Sequence, residues 1–295
     1  MAMNVFSIKD LENISGIKAH TLRIWEQRYG ILKPERTDTN IRHYGDEELK
    51  LVLNIALLQE KGGFKISEIA KMSDAEMVSH ILHLSETKFN HVDHMQALTL
   101  AMMDLDEARF QQLTHNIVNA HGFEYYMLEV IYPFMRRLGT LWLSGSVGPA
   151  QEHFISHLIR QKLIAAIDQQ DLSLKPNAKR VLLYLPEGEL HETGLLFANY
   201  LFRARKHSVV YLGQSLPYDE LLLAYSIHKP EYIFSVFTTE PSADEIDAYM
   251  AKMVQDMPDT QIMVTGYLVL QPDRKVPAEI QTIADFQSLI DIANT

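Results

Sequence analysis

No cysteine occurs among the 295 residues. That absence excludes disulfide cross-links, thiolate metal sites and cysteine nucleophiles together, and it accords with a reducing, cytoplasmic setting. No long uninterrupted apolar run occurs, and Met1-Ala2-Met3-Asn4 lacks a charged-then-apolar leader, so neither a membrane span nor a signal peptide is expected. Positive charge is scarce: 27 Lys and Arg against 38 Asp and Glu leave a net charge of −11. No internal repeat, low-complexity tract, phosphate loop, catalytic triad or carboxylate pair stands out, and no enzyme activity is expected. What is present, 47% hydrophobic and 22% charged, is an ordinary folding composition with length for two or three domains.

The scarce positive charge is concentrated. Residues 18–42 hold six basic residues (Lys18, Arg23, Arg28, Lys33, Arg36, Arg42) against three acidic ones (Glu26, Glu35, Asp38), a net +3 in an acidic chain. A local basic surface on an acidic body is compatible with DNA binding and makes dimerisation useful for affinity.

The pattern along the chain predicts a multidomain α and α/β protein. Over 1–73 it gives short helices and a β-wing: Ser7 caps a helix broken at Ser15-Gly16, and a second helix runs from about Lys18 to Gly30. Asp46 caps a third that carries Leu49, Leu53, Leu57 and Leu58 on one face, and Ser67 caps a short fourth. Residues 74–175 read as a helical linker and four-helix bundle, punctuated by Asp106, Gly122 and Gly148-Pro149, with Lys175-Pro176-Asn177 as linker. Over 176–295 short apolar runs at 180–185, 209–212, 232–237 and 261–264 alternate with helical stretches, which predicts a doubly wound, Rossmann-like domain. Such sheets bind ligands beyond their C-terminal strand ends.

In the first segment, Leu22 and Trp25 point inward from the second helix, leaving Thr21, Arg23, Gln27 and Arg28 on its other faces. Arg grips guanine edges or phosphates bidentately, and the wing adds Arg36, Asn40, Arg42, His43 and Tyr44. The run T-L-R-x-W-E-x-R-Y-G, followed by P-x-R-T and R-x-Y, resembles the DNA-binding domain of the MerR family. Its W-E-x-R-Y-G variant is similar to the family's cobalamin-dependent branch, the CarA, CarH and LitR type. The resemblance implies DNA contacts by Thr21, Arg23, Gln27, Arg28, Arg36, Arg42 and Tyr44. Thr39-Asn40 departs from the Gly-Gly-like pair usual in the wing, and Asn tolerates the positive φ needed there.

Trp142 lies near the end of one bundle helix, and Glu152-His153 open the next. The residues alone allow a plain core Trp and a Glu paired with a helix N-terminus. His191 sits in the loop after the first strand of the α/β segment, two residues from Glu189. An imidazole so placed can ligate a metal if a carboxylate holds its other nitrogen. By resemblance, W-x9-E-H is the cap motif of the cobalamin regulators, and E-x-H-x-x-G over Glu189, His191 and Gly194 stands for their D-x-H-x-x-G. The resemblance implies cobalamin, adenosylcobalamin in that branch, with His191 as lower ligand to cobalt. Ser235 and Thr238 correspond to residues that bind the nucleotide tail, and Gly266 to a Gly-Gly past which the tail runs. Tyr267 beside Gly266 is expected to crowd that channel, and Leu143 stands where photoreceptor members carry His.

The reading favoured by these residues is a regulator binding double-stranded operator DNA as a dimer or tetramer, with RNA polymerase as a further partner and a corrinoid-type sensor. The alternatives are a regulator that has lost the cofactor and answers to a protein partner, or a corrinoid carrier in methyl transfer. His153 and His157, four apart on a helix, form a weaker metal motif, and His80, His83, His91 and His94 are expected at the surface.

Overall fold

The computed structural model describes residues 6–36, 40–85, 90–143 and 147–295. The side chains of Ser85 and of residues 139–143 lie outside that description, and so does Thr39. The chain forms two compact units that divide between Ile159 and Arg160.

The first unit begins with α1 (Ile8–Ser15), α2 (Ala19–Tyr29), the β1 (Glu35–Arg36) and β2 (Arg42–His43) wing, α3 (Asp46–Glu60) and α4 (Ile66–Ile69). Ser7 and Asp10 form the reciprocal cap of α1. Two expected caps are displaced by a residue or two. Gly45 precedes α3, and its N–H donates to Glu48. Lys65 precedes α4, and its N–H donates to Glu68, which leaves Ser67 inside the helix. In both cases a glutamate three residues on satisfies the free N–H, a role that does not need a Ser or Asp at the cap.

There follow α5 (Asp74–Ser85), α6 (His91–Met103), α7 (Glu107–His121), α8 (Phe123–Tyr125), a π-helical turn (Tyr126–Ile131), α9 (Tyr132–Leu143) and α10 (Pro149–Asp168). Asp106 caps α7 through the Arg109 N–H, and Gly122 breaks the chain after it at φ 87°. α3 is buried on nearly every side from Val52 to Leu58, because α1, α5 and α6 all pack on it. Polar links join α3 to α6, through Lys50 to Asp104 (2.6 Å) and Lys61 to Asp93 (3.1 Å), and α9 to α1, through an Arg137 guanidinium N–H to the Ile14 carbonyl (2.7 Å). His80, His83 and His91 are exposed as expected, but His94 is buried in α6. Burial, with His121 and His91 nearby, pushes its pKa down to about 4 and keeps it neutral.

The second unit is a five-stranded parallel sheet in the order β4 (Ser208–Leu216), β3 (Arg180–Pro186), β5 (Tyr232–Val236), β6 (Gln261–Thr265), β7 (Ile280–Thr282). Its helices are α11 (Thr193–Ala204), α12 (Tyr218–His228), α13 (Ile246–Asp256) and α14 (Phe286–Ala293). The fifth strand and α14 go beyond the sequence expectation, since Ile280–Thr282 is too short to show a period. β3 pairs on both sides, with Leu182 opposite Val210 and Ile233, so its run is apolar throughout. The chain leaves β3 for β4 on one side and returns to β5 on the other. The loops after β3 and β5 therefore flank the topological switch.

Candidate DNA-reading head and corrinoid site

The turn between α1 and α2 is locked by Glu12. Its carboxylate accepts the Ala19 N–H at the start of α2 (3.1 Å) and pairs with Lys18 (3.0 Å). Leu22 and Trp25 are buried, which turns His20, Arg23, Ile24, Gln27 and Arg28 outward, with Thr21 half-buried. His20 and Ile24 were not among the expected contacts, although their helical spacing from Arg23 and Gln27 places them on the same face. In the wing, Arg36 pairs opposite Arg42, and the Arg36 guanidinium donates to the Asn40 side chain. Asn40 adopts φ 65°, the left-handed conformation that the sequence required of it.

Two wing residues serve the fold. Arg42 donates to Glu26 of α2 (3.1 Å) and is half-buried, so it ties the wing to the helix. Tyr44, expected at DNA, is 1% exposed and pairs through its backbone with Phe6. Its hydroxyl has no hydrogen-bond partner among the described residues, and burial raises its pKa. It is a core residue, because the chain turns inward after β2 to enter α3.

In the second unit, Glu189 is 0% exposed. Its carboxylate accepts the N–H groups of Leu190 (2.9 Å), His191 (2.9 Å), Thr238 (2.8 Å), Thr239 (2.7 Å) and Glu240 (3.2 Å). It thereby ties the loop after β3 to the loop after β5. Nδ1 of His191 lies 2.6 Å from the same carboxylate. Burial works against the charged form, but the N–H groups of Thr239 and His191, the His191 ring and the Thr238 N–H outweigh it and hold the Glu189 pKa down to about 2. An ionised carboxylate can only accept, so Nδ1 must carry the proton. In the neutral ring that tautomer has its lone pair on Nε2, on a side chain that is 60% exposed. Thr239 was not among the expected residues. Beside this hub, Glu192 accepts the Tyr211 hydroxyl (2.9 Å) and a short bond from Arg160.

Gly194 opens α11 without a positive φ, and a Cβ there would meet Phe286 and Val236 at an ordinary 3.7 Å. Neither conformation nor packing demands glycine there. Gly266 is different. It has φ 110°, and a Cβ would lie 2.4 Å from the Phe237 carbonyl oxygen, so the chain's own crossing requires glycine. Ser235 is buried, with its hydroxyl donating to the Tyr184 carbonyl (2.9 Å). Thr238 offers its main-chain N–H to Glu189. Tyr267, expected to crowd a channel, is 67% exposed and fills no interior space.

In the first unit, Glu152 is half-buried and His153 exposed, 4.0 Å apart. Trp142 is in the last turn of α9, and its side chain lies outside the described residues, as does that of Leu143. The His153 and His157 rings are 6.0 Å apart, and among the described residues no third metal-ligating group joins them.

A corrinoid's cobalt accepts a neutral imidazole nitrogen. His191, held through Nδ1 by Glu189 and 60% exposed, would offer Nε2 to it, so these residues fit the group.

Residues 6–76 match the MerR HTH family regulatory protein model, and residues 95–166 match the B12 binding domain model. The chain is 27% identical over 266 residues to the HTH-type transcriptional repressor CarH of Myxococcus xanthus, covering 88% of this chain and 87% of that protein. It is also 27% identical over 263 residues to the repressor CarA of the same organism, covering 88% and 85%. A monomethylamine corrinoid protein from Methanosarcina barkeri is similar in fold, with a TM-score of 0.53 and 12% identity, over 66% of this chain and 93% of that one.

Proposed function

We infer, from a chain that is a MerR-family DNA-binding transcriptional regulator with a corrinoid-type sensor module, that the sensor still holds its corrinoid and that His191 is the lower ligand. The observation that carries this is the 2.6 Å contact of Glu189 with His191 Nδ1, which leaves Nε2 as the coordinating atom. His191 would hold the corrinoid, which would supply a redox-active cobalt centre there. The protein's own part is to hold the imidazole tautomer, admit the ring beside Gly194, and keep the two switch-point loops joined. Adenosylcobalamin is the form we propose. Trp142, Glu152 and His153 are proposed contributors from the segment that matches the B12 binding domain.

The head reads DNA through the outward face of α2, by His20, Arg23, Gln27 and Arg28, with Arg36 on the wing against backbone. The proposed functional parts are a head over 1–73, a helical module over 74–175 and a sheet module over 176–295. Operator binding as a dimer or higher oligomer, a contact with RNA polymerase, a cytoplasmic setting and the lack of enzymatic activity complete the proposal. Among the described residues, no helix is long and apolar enough to cross a membrane.

The test is the visible spectrum of adenosylcobalamin titrated with the full-length protein in the dark, beside a His191→Ala variant. Wild type is expected to retain the ligand through gel filtration, and the variant to bind more weakly with an altered spectrum. If wild-type protein leaves free ligand unchanged at high concentration, the corrinoid proposal is wrong. Operator titration of the same samples tests the head separately.

A further inference from the structure

The strand ends carry a second depression, on the face of the sheet covered by α12 and α13. Glu187, Tyr218, Pro241, Glu245, Tyr249 and Lys252 line an open cleft of about 400 Å³. α11 and α14 pack together on the opposite face, through Phe197 and Phe286. Right-handed crossovers put α12 and α13 across the sheet from them, so the cleft lies on the face opposite Gly194 and α11.

The floor of this cleft is aromatic. Tyr218 and Tyr249 meet edge to face, with centroids 5.3 Å apart and planes at 82°. Both rings are anchored by their hydroxyls. Tyr218 donates to Asp256 (3.1 Å). Tyr249 donates to the hydroxyl of Tyr184 (3.2 Å), which is fully buried and donates to Met253 Sδ (3.4 Å). With the hydroxyls engaged behind, the recognition surface offered is the electron-rich ring faces. Nζ of Lys252 already sits 4.0 Å from the Tyr218 centroid. A cation there is attracted by the ring quadrupole. Glu187 and Glu245 add two carboxylates, so even with Lys252 the lining carries a net negative charge.

We propose that this cleft binds a small organic cation, an amine or quaternary ammonium, and that Lys252 holds its place in the ligand-free protein. An anion would face Glu187 and Glu245, and a neutral ligand would gain ring contact but no charge term. Lys252 is exposed on a flexible stem, so its ammonium can leave the ring for solvent at little cost. The volume suits a ligand of metabolite size. The lining includes Glu187, two residues before Glu189, and Pro241, next to the Glu240 N–H that Glu189 accepts. Occupancy would therefore bear on the two loops that position His191.

Full-length protein without corrinoid is tested by saturation-transfer NMR with choline and with 3,3-dimethylbutan-1-ol, which has the same shape and no charge. Choline is expected to receive saturation and the alcohol not. Lys252→Met should tighten choline binding severalfold, because the tethered competitor is gone. Tyr218→Phe should retain binding, and Tyr218→Leu should lose it. Should Tyr218→Leu fail to fold, the exposed pair Glu187→Gln and Glu245→Gln serves in its place and should weaken choline. Equal response to both probes overturns the proposal. So does no response in either wild type or Lys252→Met, no gain in Lys252→Met, or choline binding indifferent to the ring and carboxylate variants.

Discussion

Glu189 Oε1 holds Nδ1 of His191 at 2.6 Å, while Oε2 of the same carboxylate takes the N–H groups of Thr238 and Thr239. One side chain thus orients the His191 ring and fastens the two loops at the switch point. The two roles have separable consequences.

Glu189→Gln should lower stability as well as corrinoid affinity. The amide keeps one acceptor but turns an NH2 toward N–H donors, and charge-assisted bonds are lost at roughly 1.5–3 kcal/mol each. The pH dependence follows from the depressed pKa of about 2. An unfolded Glu titrates near ~4.3. The stabilisation is therefore complete above that value and is lost as pH falls through about 2, and it is on the order of 3 kcal/mol. Urea unfolding of the full-length protein across that acid window should show a steep limb in wild type and a flatter one in Glu189→Gln. Identical limbs would mean the loops are held by something else.

The head separates by burial. Arg23→Ala should weaken operator binding by roughly 1–3 kcal/mol, since the side chain is exposed on the outward face of α2 proposed to read DNA. Tyr44→Phe should leave operator affinity unchanged. It removes a buried hydroxyl that has no partner among the described residues, so stability should stay level or rise by up to about 1 kcal/mol. A drop in operator affinity for Tyr44→Phe at unchanged stability would return Tyr44 to the DNA surface.

The contrast between Arg23 and Tyr44 shows what the sequence could reveal. Helix faces were legible because Leu22 and Trp25 fix the phase of α2. The switch-point loop was legible because β3 is a continuous apolar run followed by a short acidic and histidine-bearing turn. Tyr44 was not, since an aromatic beside a wing reads alike whether it turns out to phosphate or in toward Phe6. The hub role of Glu189 was hidden too, because its partners at 238–240 are backbone groups some fifty positions away. Backbone donors leave no trace in residue identity. Likewise Tyr267 looked obstructive only because its direction out of the loop cannot be read from its neighbours.

Gly266 and Tyr267 should therefore behave in opposite ways. Gly266→Ala puts a Cβ against the Phe237 carbonyl at φ 110°, so overpacking and backbone strain act together. A loss of roughly 2–4 kcal/mol is expected in chemical unfolding. Tyr267→Gly removes an exposed ring and should leave both stability and the adenosylcobalamin spectrum as in wild type. A gain in corrinoid affinity from Tyr267→Gly would show that the ring does enter the ligand's path.

Arg109 raises the last question, because it sits where α7 of the bundle meets α3 of the head. It is 2% exposed, yet Nε and Nη1 have no hydrogen-bond partner among the described residues. Its nearest polar neighbours are Asn54 at 3.5 Å and Asp104 at 3.7 Å, and Asp104 is already paired with Lys50 at 2.6 Å. Burial drives its pKa down, against the opposing pull of the Asp104 and Asp106 carboxylates. Asp104 keeps Lys50 and is not left unpaired, so Arg109→Met, of similar length and apolar, should be neutral or mildly stabilising. Set between α7 and α3, Arg109 is expected to serve a role besides holding the fold. The expected use is a change of partner when the bundle responds to its ligand, so Arg109→Met should also narrow the difference in operator affinity with and without adenosylcobalamin. Urea midpoints and paired operator titrations measure the two effects. Destabilisation by several kcal/mol would instead make Arg109 an ordinary buried ion-pair partner, and the coupling argument would fall with it.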